Sequence, residues 1–508
     1  MSSKKSSWTY LDTPLEKNYL WSLAVTLLPV VSSFGVSWII ARWGGPEVMG
    51  TIAWTMALAT AVLIIGKFGL GLAASRLASE YGVDKPGLLR PLFKTGLAFR
   101  FAITLLMALL TLLLAGRIAG FFNNPGLEKP VQVSALVIIG ASLYEFMEHF
   151  IVGLNRIHVV YKVRTVNHLL RLIFTSVLVW SGLGAVEILS GYSGAWLAAI
   201  IIYLLLLLIF LPATGDGVDH RGLARRLLIL GVPLAISSAS VTIFSQTDRL
   251  MIGYFYEMDE VGQYAIARSV TEVSLFPVFA LVMTLRPALA SRFSSGRTEE
   301  CSQILQRTFQ FALVFGVLFA SIFAVFAVPL FTLVYSTEFL YAGQLMVVFI
   351  WVIVLRSVGA ILLPSLIAAE RTRFYAWLTG LTAGLNVILN LILIPAYRSW
   401  GAVIATILSY SILLILGFRQ VARIYNLRFS SQELSMTART FLAGLIAGGV
   451  VWPILRMFGQ GEAGFSLPLI IILVVVQLLV FTALIHLFQV AKVGQIVGVL
   501  SKLGKTNN

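Results

Sequence analysis

The sequence predicts an all-α, polytopic membrane protein of about 14 transmembrane helices: two parallel-repeat six-helix lobes around a central cavity, followed by a C-terminal helix pair. Three observations point there. Of the 508 residues, 58% are apolar, enough for fourteen spans of about 20 residues each. Charged residues make up only 12% and mean hydropathy is +0.92. That is about half the charge of an ordinary soluble domain, which excludes a soluble enzyme, a disordered chain and a fibrous repeat. Long apolar runs recur while short alternating strands are absent, so an outer-membrane barrel is excluded too.

The elements follow in order from apolar runs and the charged, Gly, Pro or Asn breaks between them. Residues 1–19 carry three lysines and no apolar core, which suits a cytosolic tail rather than a cleaved signal peptide. Six spans are expected at 20–41, 51–73, 96–119, 131–154, 165–183 and 192–212, forming an N-terminal lobe. A cytosolic linker covers 213–227. Six more spans fall at 228–254, 262–285, 308–335, 341–368, 374–396 and 400–418, forming a C-terminal lobe over 228–418. A further pair, 439–457 and 467–490, precedes a cytosolic tail at 491–508.

The formal net charge is +15, which could suggest nucleic acid, but in a membrane protein basic residues first report topology. With both termini inside, the inner tails and loops carry 26 Lys and Arg, whereas the outer side carries only Arg42, Arg117, Lys129, Arg398 and Arg456. This asymmetry supports an even span count and a cytosolic N-terminus, and nucleic acid is not an expected partner. The single cysteine, Cys301, permits no internal disulfide. Outer segments do not exceed about 15 residues, too little room for the sugar-holding domain of a membrane glycosyltransferase or polymerase. No zinc-ligand cluster, phosphate-binding loop or nucleophile elbow appears, so neither a metal nor an enzymatic activity is expected.

Two segments repeat. Ile40, Gly50 and Ala53 in IARWGGPEVMGTIA correspond to Ile252, Gly262 and Ala265 in IGYFYEMDEVGQYA, and GAWLAA (194–199) corresponds to GAVIAT (401–406). Six spans per unit is even, so both halves keep one orientation, with the repeat axis along the membrane normal and a substrate path between lobes.

The segments TDRLMIGYF (247–255), VGQYAIARSV (261–270), GLNVILNLILIP (384–395), GAVIATILSY (401–410) and GKFGLGLAASRLASE (66–80) carry a family resemblance in their order and spacing. The chain resembles the polysaccharide-biosynthesis branch of the multidrug/oligosaccharidyl-lipid/polysaccharide exporter superfamily, the Wzx-type flippases. The resemblance runs over residues 20 to about 420. It implies a V-shaped pair of six-helix lobes that moves lipid-linked oligosaccharides across the cytoplasmic membrane of a prokaryote by alternating access. Many members have twelve spans; the extra pair at 439–490 departs from that and is similar to the pair that forms a lipid groove in peptidoglycan lipid II flippases.

Intramembrane charges are the candidate site, because a charge at mid-bilayer costs about 2.5–3.5 kcal/mol on insertion scales and must face protein or water. Six cations fall within the expected spans, Lys67, Arg100, Arg171, Arg249, Arg268 and Arg356, with four acids, Glu145, Glu148, Asp248 and Glu272. Lys67 and Arg100 lie close to the expected inner ends, where snorkelling would accommodate them. Glu148 and Arg171 fall at matched depth in a hairpin expected to turn near residue 159. They form either a structural pair or an inner-leaflet cluster meeting a lipid pyrophosphate. Asp248 and Arg268 are matched about a turn near 257, with Glu272 one turn beyond, in spans rich in hydroxyls such as Ser237, Ser238, Ser240 and Thr242. Arg356 lies mid-span with no acid nearby in its own helix, a candidate contact for an anionic headgroup. The substrate-binding candidates are therefore Arg356, Arg268, Asp248, Glu272, Arg171, Arg100 and Lys67. Asp248, Glu272, Glu145 and Glu148 are candidates for coupling to Na+ or H+.

Together these features favour a flippase for a polyprenyl-pyrophosphate-linked oligosaccharide. A lipid II flippase or a cation-coupled multidrug antiporter remains open within the same superfamily, and a sugar polymerase or ligase is disfavoured by the short outer loops. The expected partners are the lipid-linked glycan, membrane lipids and other glycan-assembly membrane proteins.

Overall fold

The computed structural model describes residues 31–212, 219–275, 278, 285, 289–427, 431–459, 466–488 and 490. Outside them lie the expected terminal tails, the start of the first span, linker residues 213–218 and most of the second half of the eighth span. The side chains of Ser237, Ser238 and Ser240 also lie outside the description.

Every regular element among the described residues is helical. Residues 31–39 pass through a π-turn at Ile40–Gly44 into α1 (Gly45–Lys67). Gly45, with φ +77°, breaks the backbone between them, a conformation open to glycine because it lacks Cβ. Then follow α2 (Leu70–Asp84), α3 (Leu89–Leu113), the short α4 (Ala115–Phe121), α5 (Glu128–Gly153), α6 (Ile157–Trp180) and α7 (Ala185–Phe210). The second half comprises α8 (His220–Phe255), α9 (Met258–Val273), α10 (Thr298–Val334), α11 (Leu340–Phe349), α12 (Val352–Ala368), α13 (Thr372–Tyr397) and α14 (Ser399–Ile424). The closing pair is α15 (Ser431–Gly459) and α16 (Leu467–Leu487).

Among the described residues nine helical segments are long and apolar enough to cross a membrane, or ten if α11 and α12, bent by 51° to each other, form one span. The chain is a multi-pass membrane protein. The figure of fourteen is not reached by this measure among the described residues: polar and charged side chains lower the hydropathy of α6, and α9 has only 16 residues.

Two boundaries differ from the sequence expectation in ways that matter for the site. The second expected span, 51–73, ends early. Phe68 and Gly69 both take positive φ (40° and 60°), and a separate helix, α2, starts at Leu70. Gly69 is required there, since a Cβ would lie 2.0 Å from the carbonyl oxygen of Gly231 in α8. The third span starts at Leu89 rather than 96, which carries Arg100 three turns into α3.

In the first half α5 is central, packing against α1, α2, α3 and α7, with Phe146 and Phe150 buried against Phe93. In the second half α14 packs on α12 and α13, and α10 on α11 and α12. The halves meet where α1 packs on α8 and α9 and where α2 packs on α8. The closing pair packs on α10: Gly444 admits Val317, whose Cγ1 would lie 2.6 Å from an added Cβ, and Gly448 faces Val325.

Candidate functional site

Two clusters of charge are built into the helices that meet between the halves. The first gathers on Glu145 of α5. Lys67, the last residue of α1, places Nζ 2.7 Å from Glu145 Oε2, and Arg100 of α3 brings Nη2 to 3.6 Å from the same oxygen. His149, one turn beyond on α5, has Nε2 3.8 Å from Glu145 Oε1. Arg100 is 2% exposed, so snorkelling does not apply to it. Its Nε donates to Ser142 Oγ (2.7 Å) and its Nη1 to the Lys67 carbonyl (2.8 Å), while Thr104 and Ser142 share a hydroxyl bond. Lys67, 29% exposed, also turns its ammonium to Glu145. The Lys67, Arg100, Glu145 and His149 side chains line a small cleft of about 80 Å3 that also borders Ala239 and Thr242 of α8.

The second cluster gathers on α8, α9 and α12. Asp248 is 2% exposed and accepts three hydrogen bonds: Arg268 Nη1 (2.9 Å) and Tyr264 Oη (2.6 Å) on Oδ2, and Asn390 Nδ2 (2.7 Å) on Oδ1. The matched-depth expectation for Asp248 and Arg268 thus corresponds to a direct ion pair. Arg268 reaches onward, its Nε donating to Glu272 Oε1 at 3.1 Å. Arg356 has its Nη1 3.9 Å from that same Glu272 oxygen, so the cation without a partner in its own helix finds one on α9. Arg249 follows Asp248 on α8, and its buried Nε has no hydrogen-bond partner.

The α5–α6 hairpin corrects one expected pairing. It turns at Leu154–Arg156, earlier than residue 159, so Glu148 pairs with Arg164 and not with Arg171. Arg171 instead lies over the rings of Tyr192 (4.2 Å) and Trp196 (5.4 Å), a cation–π arrangement that holds α6 to α7. It is remote from both clusters by partner. Sequence inspection also missed Ser142, Thr104, Tyr264 and Asn390, the neutral groups that satisfy the buried charges. A buried charge requires such partners, yet their identities depend on tertiary neighbours.

Five cations, Lys67, Arg100, Arg249, Arg268 and Arg356, therefore stand against three acids, Glu145, Asp248 and Glu272. Thr242 and Arg249 are seven residues apart on α8, hence on one face and about 10 Å apart along the axis, so α8 links the two clusters. Asp248, with three internal donors, has little capacity left for an ion. The side chains of Glu145 and Glu272 are 35% and 48% exposed, and Glu145 lines the cleft beside α8. Among the described residues no group of three or more His, Cys, Asp or Glu could hold a metal ion.

Comparison with known proteins adds relatives. The family described as polysaccharide biosynthesis protein matches residues 15–293, and the MatE family matches residues 233–392. The probable low-salt glycan biosynthesis flippase Agl15 of Haloferax volcanii is 25% identical over 272 residues, covering 52% of this chain and 55% of that protein. The chain thus matches about half the length of that relative. The lipid III flippase of Escherichia coli is 25% identical over 417 residues, 78% of this chain and 95% of that one. Among solved structures, lipid II flippase MurJ in an inward closed conformation superposes with a TM-score of 0.71 at 13% identity, over 92% of this chain and 98% of that one. An inward-facing multidrug resistance MATE family transporter gives 0.64 at 12% identity, over 78% and 96%. At such identities the likeness to these structures is one of fold.

Proposed function

This chain belongs to the polysaccharide biosynthesis protein family, whose match covers residues 15–293 of its 508, and from that premise we propose that it is a flippase. It moves a polyprenyl-pyrophosphate-linked oligosaccharide from the inner to the outer leaflet of the cytoplasmic membrane of a prokaryote. The observation that carries this is the excess of cations over acids in the two charge clusters, five against three: Lys67, Arg100, Arg249, Arg268 and Arg356 stand against Glu145, Asp248 and Glu272. Uncompensated positive charge inside a membrane protein suits an anionic headgroup. Relatives named as flippases for a glycan pathway and for lipid III support the class of cargo.

The cytosolic placement of both termini rests on the 26-to-5 bias of basic residues. The two lobes, 20–212 and 228–418, move against each other to expose the cleft to one side at a time. In this state the end bearing the turns at Gly45 and Tyr256, assigned as the outer end, is closed by α1 against α9. Other glycan-assembly membrane proteins would supply the lipid-linked glycan and consume it on the far side. The chain's own part is transport.

A drug–cation antiporter would need acids free to attract cations. Here Arg268 engages both Asp248 and Glu272, and Lys67 and Arg100 engage Glu145, which weighs against it. Of the four candidates for coupling Na+ or H+ to flipping, Glu145 and Glu272 are the more exposed, while Glu148 pairs with Arg164 and Asp248 is held by three donors. The test is reconstitution of the purified chain in vesicles with a labelled prenyl-diphosphate-linked oligosaccharide and, separately, a fluorescent drug cation. Transfer of the lipid without gradient-driven movement of the drug is expected; the reverse outcome would make the chain an antiporter.

A further inference from the structure

Both clusters share one design. In each, a single partly exposed glutamate holds cations contributed by other residues. Glu145, 35% exposed, holds Lys67 at 2.7 Å and Arg100 at 3.6 Å, with the His149 ring 3.8 Å away. Glu272, 48% exposed, holds Arg268 at 3.1 Å and Arg356 at 3.9 Å. Asp248 is different: it is almost wholly buried and saturated by three donors, which is how a permanent structural counter-ion is built. The glutamates are held at one close and one or more loose contacts, and about a third to a half of each side chain is exposed.

Cations left bare in a membrane-embedded cleft are unfavourable, and cations left bare for a diphosphate would bind it too tightly to release. A transport site must bind well enough to load and weakly enough to unload. We propose that Glu145 and Glu272 are placeholder counter-ions: each occupies its cations while the cleft is empty and is displaced by phosphate oxygens of the lipid headgroup, then returns and expels it. They are positioning residues, acting through Lys67 and Arg100 in one cluster and through Arg268 and Arg356 in the other. This rests on the proposed transport of an anionic lipid.

The probe is farnesyl diphosphate, titrated calorimetrically into the full-length chain in detergent, alongside flipping of a labelled lipid-linked oligosaccharide in vesicles. Glu272→Gln and Glu145→Gln remove the competing charge and keep the shape. Each should bind the probe about fivefold tighter, the worth of a partly exposed ion pair, while maximal flipping slows because release is impeded. Glu272→Asp, which keeps the charge, should bind as the native chain does. Folded Glu→Gln chains that bind the probe equally or more weakly would overturn the proposal, since the glutamates would then be orienting the cations for substrate. Failure of both Glu→Gln chains to fold would overturn it as well, because a placeholder is dispensable to the fold. If native chain and Arg356→Ala both ignore the probe, the anionic-lipid site itself is wrong, a distinct result that removes the proposed function along with its placeholder.

Discussion

Gly50 and Gly262, the corresponding glycines of the repeated segment, pack backbone on backbone where α1 crosses α9. A Cβ on Gly50 would lie 1.7 Å from the Met258 carbonyl oxygen, and one on Gly262 would lie 2.0 Å from that of Pro46. The two copies of one motif thus close on each other, and only glycine permits the approach. Nearby, Trp38 Nε1 donates to the Val334 carbonyl and Arg42 Nη1 to that of Tyr335, adding ties between the halves at the same end.

A side chain at either glycine should wedge this closure apart. In a chain with Cys301→Ser, a reporter Ala265→Cys is buried and should react slowly with an impermeant maleimide. Adding Gly50→Val should raise labelling severalfold and reduce flipping. Unchanged labelling in a folded Gly50→Val chain would mean that this contact does not close the outer end.

Asp248 and Arg268 should behave as one unit. Removing one partner of a buried pair typically costs about 3–5 kcal/mol, because the other charge is left uncompensated. Asp248→Asn and Arg268→Gln should therefore each lower the melting temperature in detergent more than the double replacement does. A double variant no milder than either single one would show that Tyr264 and Asn390, the other donors to Asp248, matter more than the charge pair.

Arg171 and Arg164 should separate by chemistry. Arg164 is paired with Glu148, so Arg164→Lys keeps the charge and should be tolerated. Arg171 lies over Tyr192 and Trp196 as a planar cation, and Lys lacks that plane, so Arg171→Lys should lower thermal stability more than Arg164→Lys. The opposite order would imply that Arg171 is held by charge rather than stacking.

The helical class, the order of the helices and the Asp248–Arg268 pairing were legible in the sequence, because apolar run length and depth about a tight turn are local properties. Arg100 was misplaced at an interface because the start of α3 is marked only by the PGLLRP stretch, seven residues before the apolar run begins. The Glu148 partner was misassigned because a turn error of about three residues moves the matched position by nearly two helical turns. The break at Phe68–Gly69 had a signal in the three glycines of GKFGLG, but the reason for Gly69 is the Gly231 backbone, which only the fold brings near. The 51° bend between α11 and α12 has no proline at Ile350–Trp351 to announce it; Pro364 lies well beyond. The partners of Glu145 come from three helices and those of Glu272 from two, counting their own, and no spacing rule connects the ones on other helices.

If these cations receive the anionic headgroup of a lipid-linked glycan, Arg356 is the residue whose loss shows it most directly. Arg356 contacts Glu272 loosely, at 3.9 Å, and has 22% of its side chain exposed. The decisive measurement is transfer of a labelled lipid-linked oligosaccharide across vesicles holding equal amounts of native, Arg356→Lys, Arg356→Ala and Arg356→Glu chains. Lysine keeps the charge without the fork that grips phosphate oxygens in pairs and should be partly active. Alanine should insert normally and lose flipping, and glutamate should be inactive. Native flipping rates from Arg356→Ala at equal protein level would contradict the account.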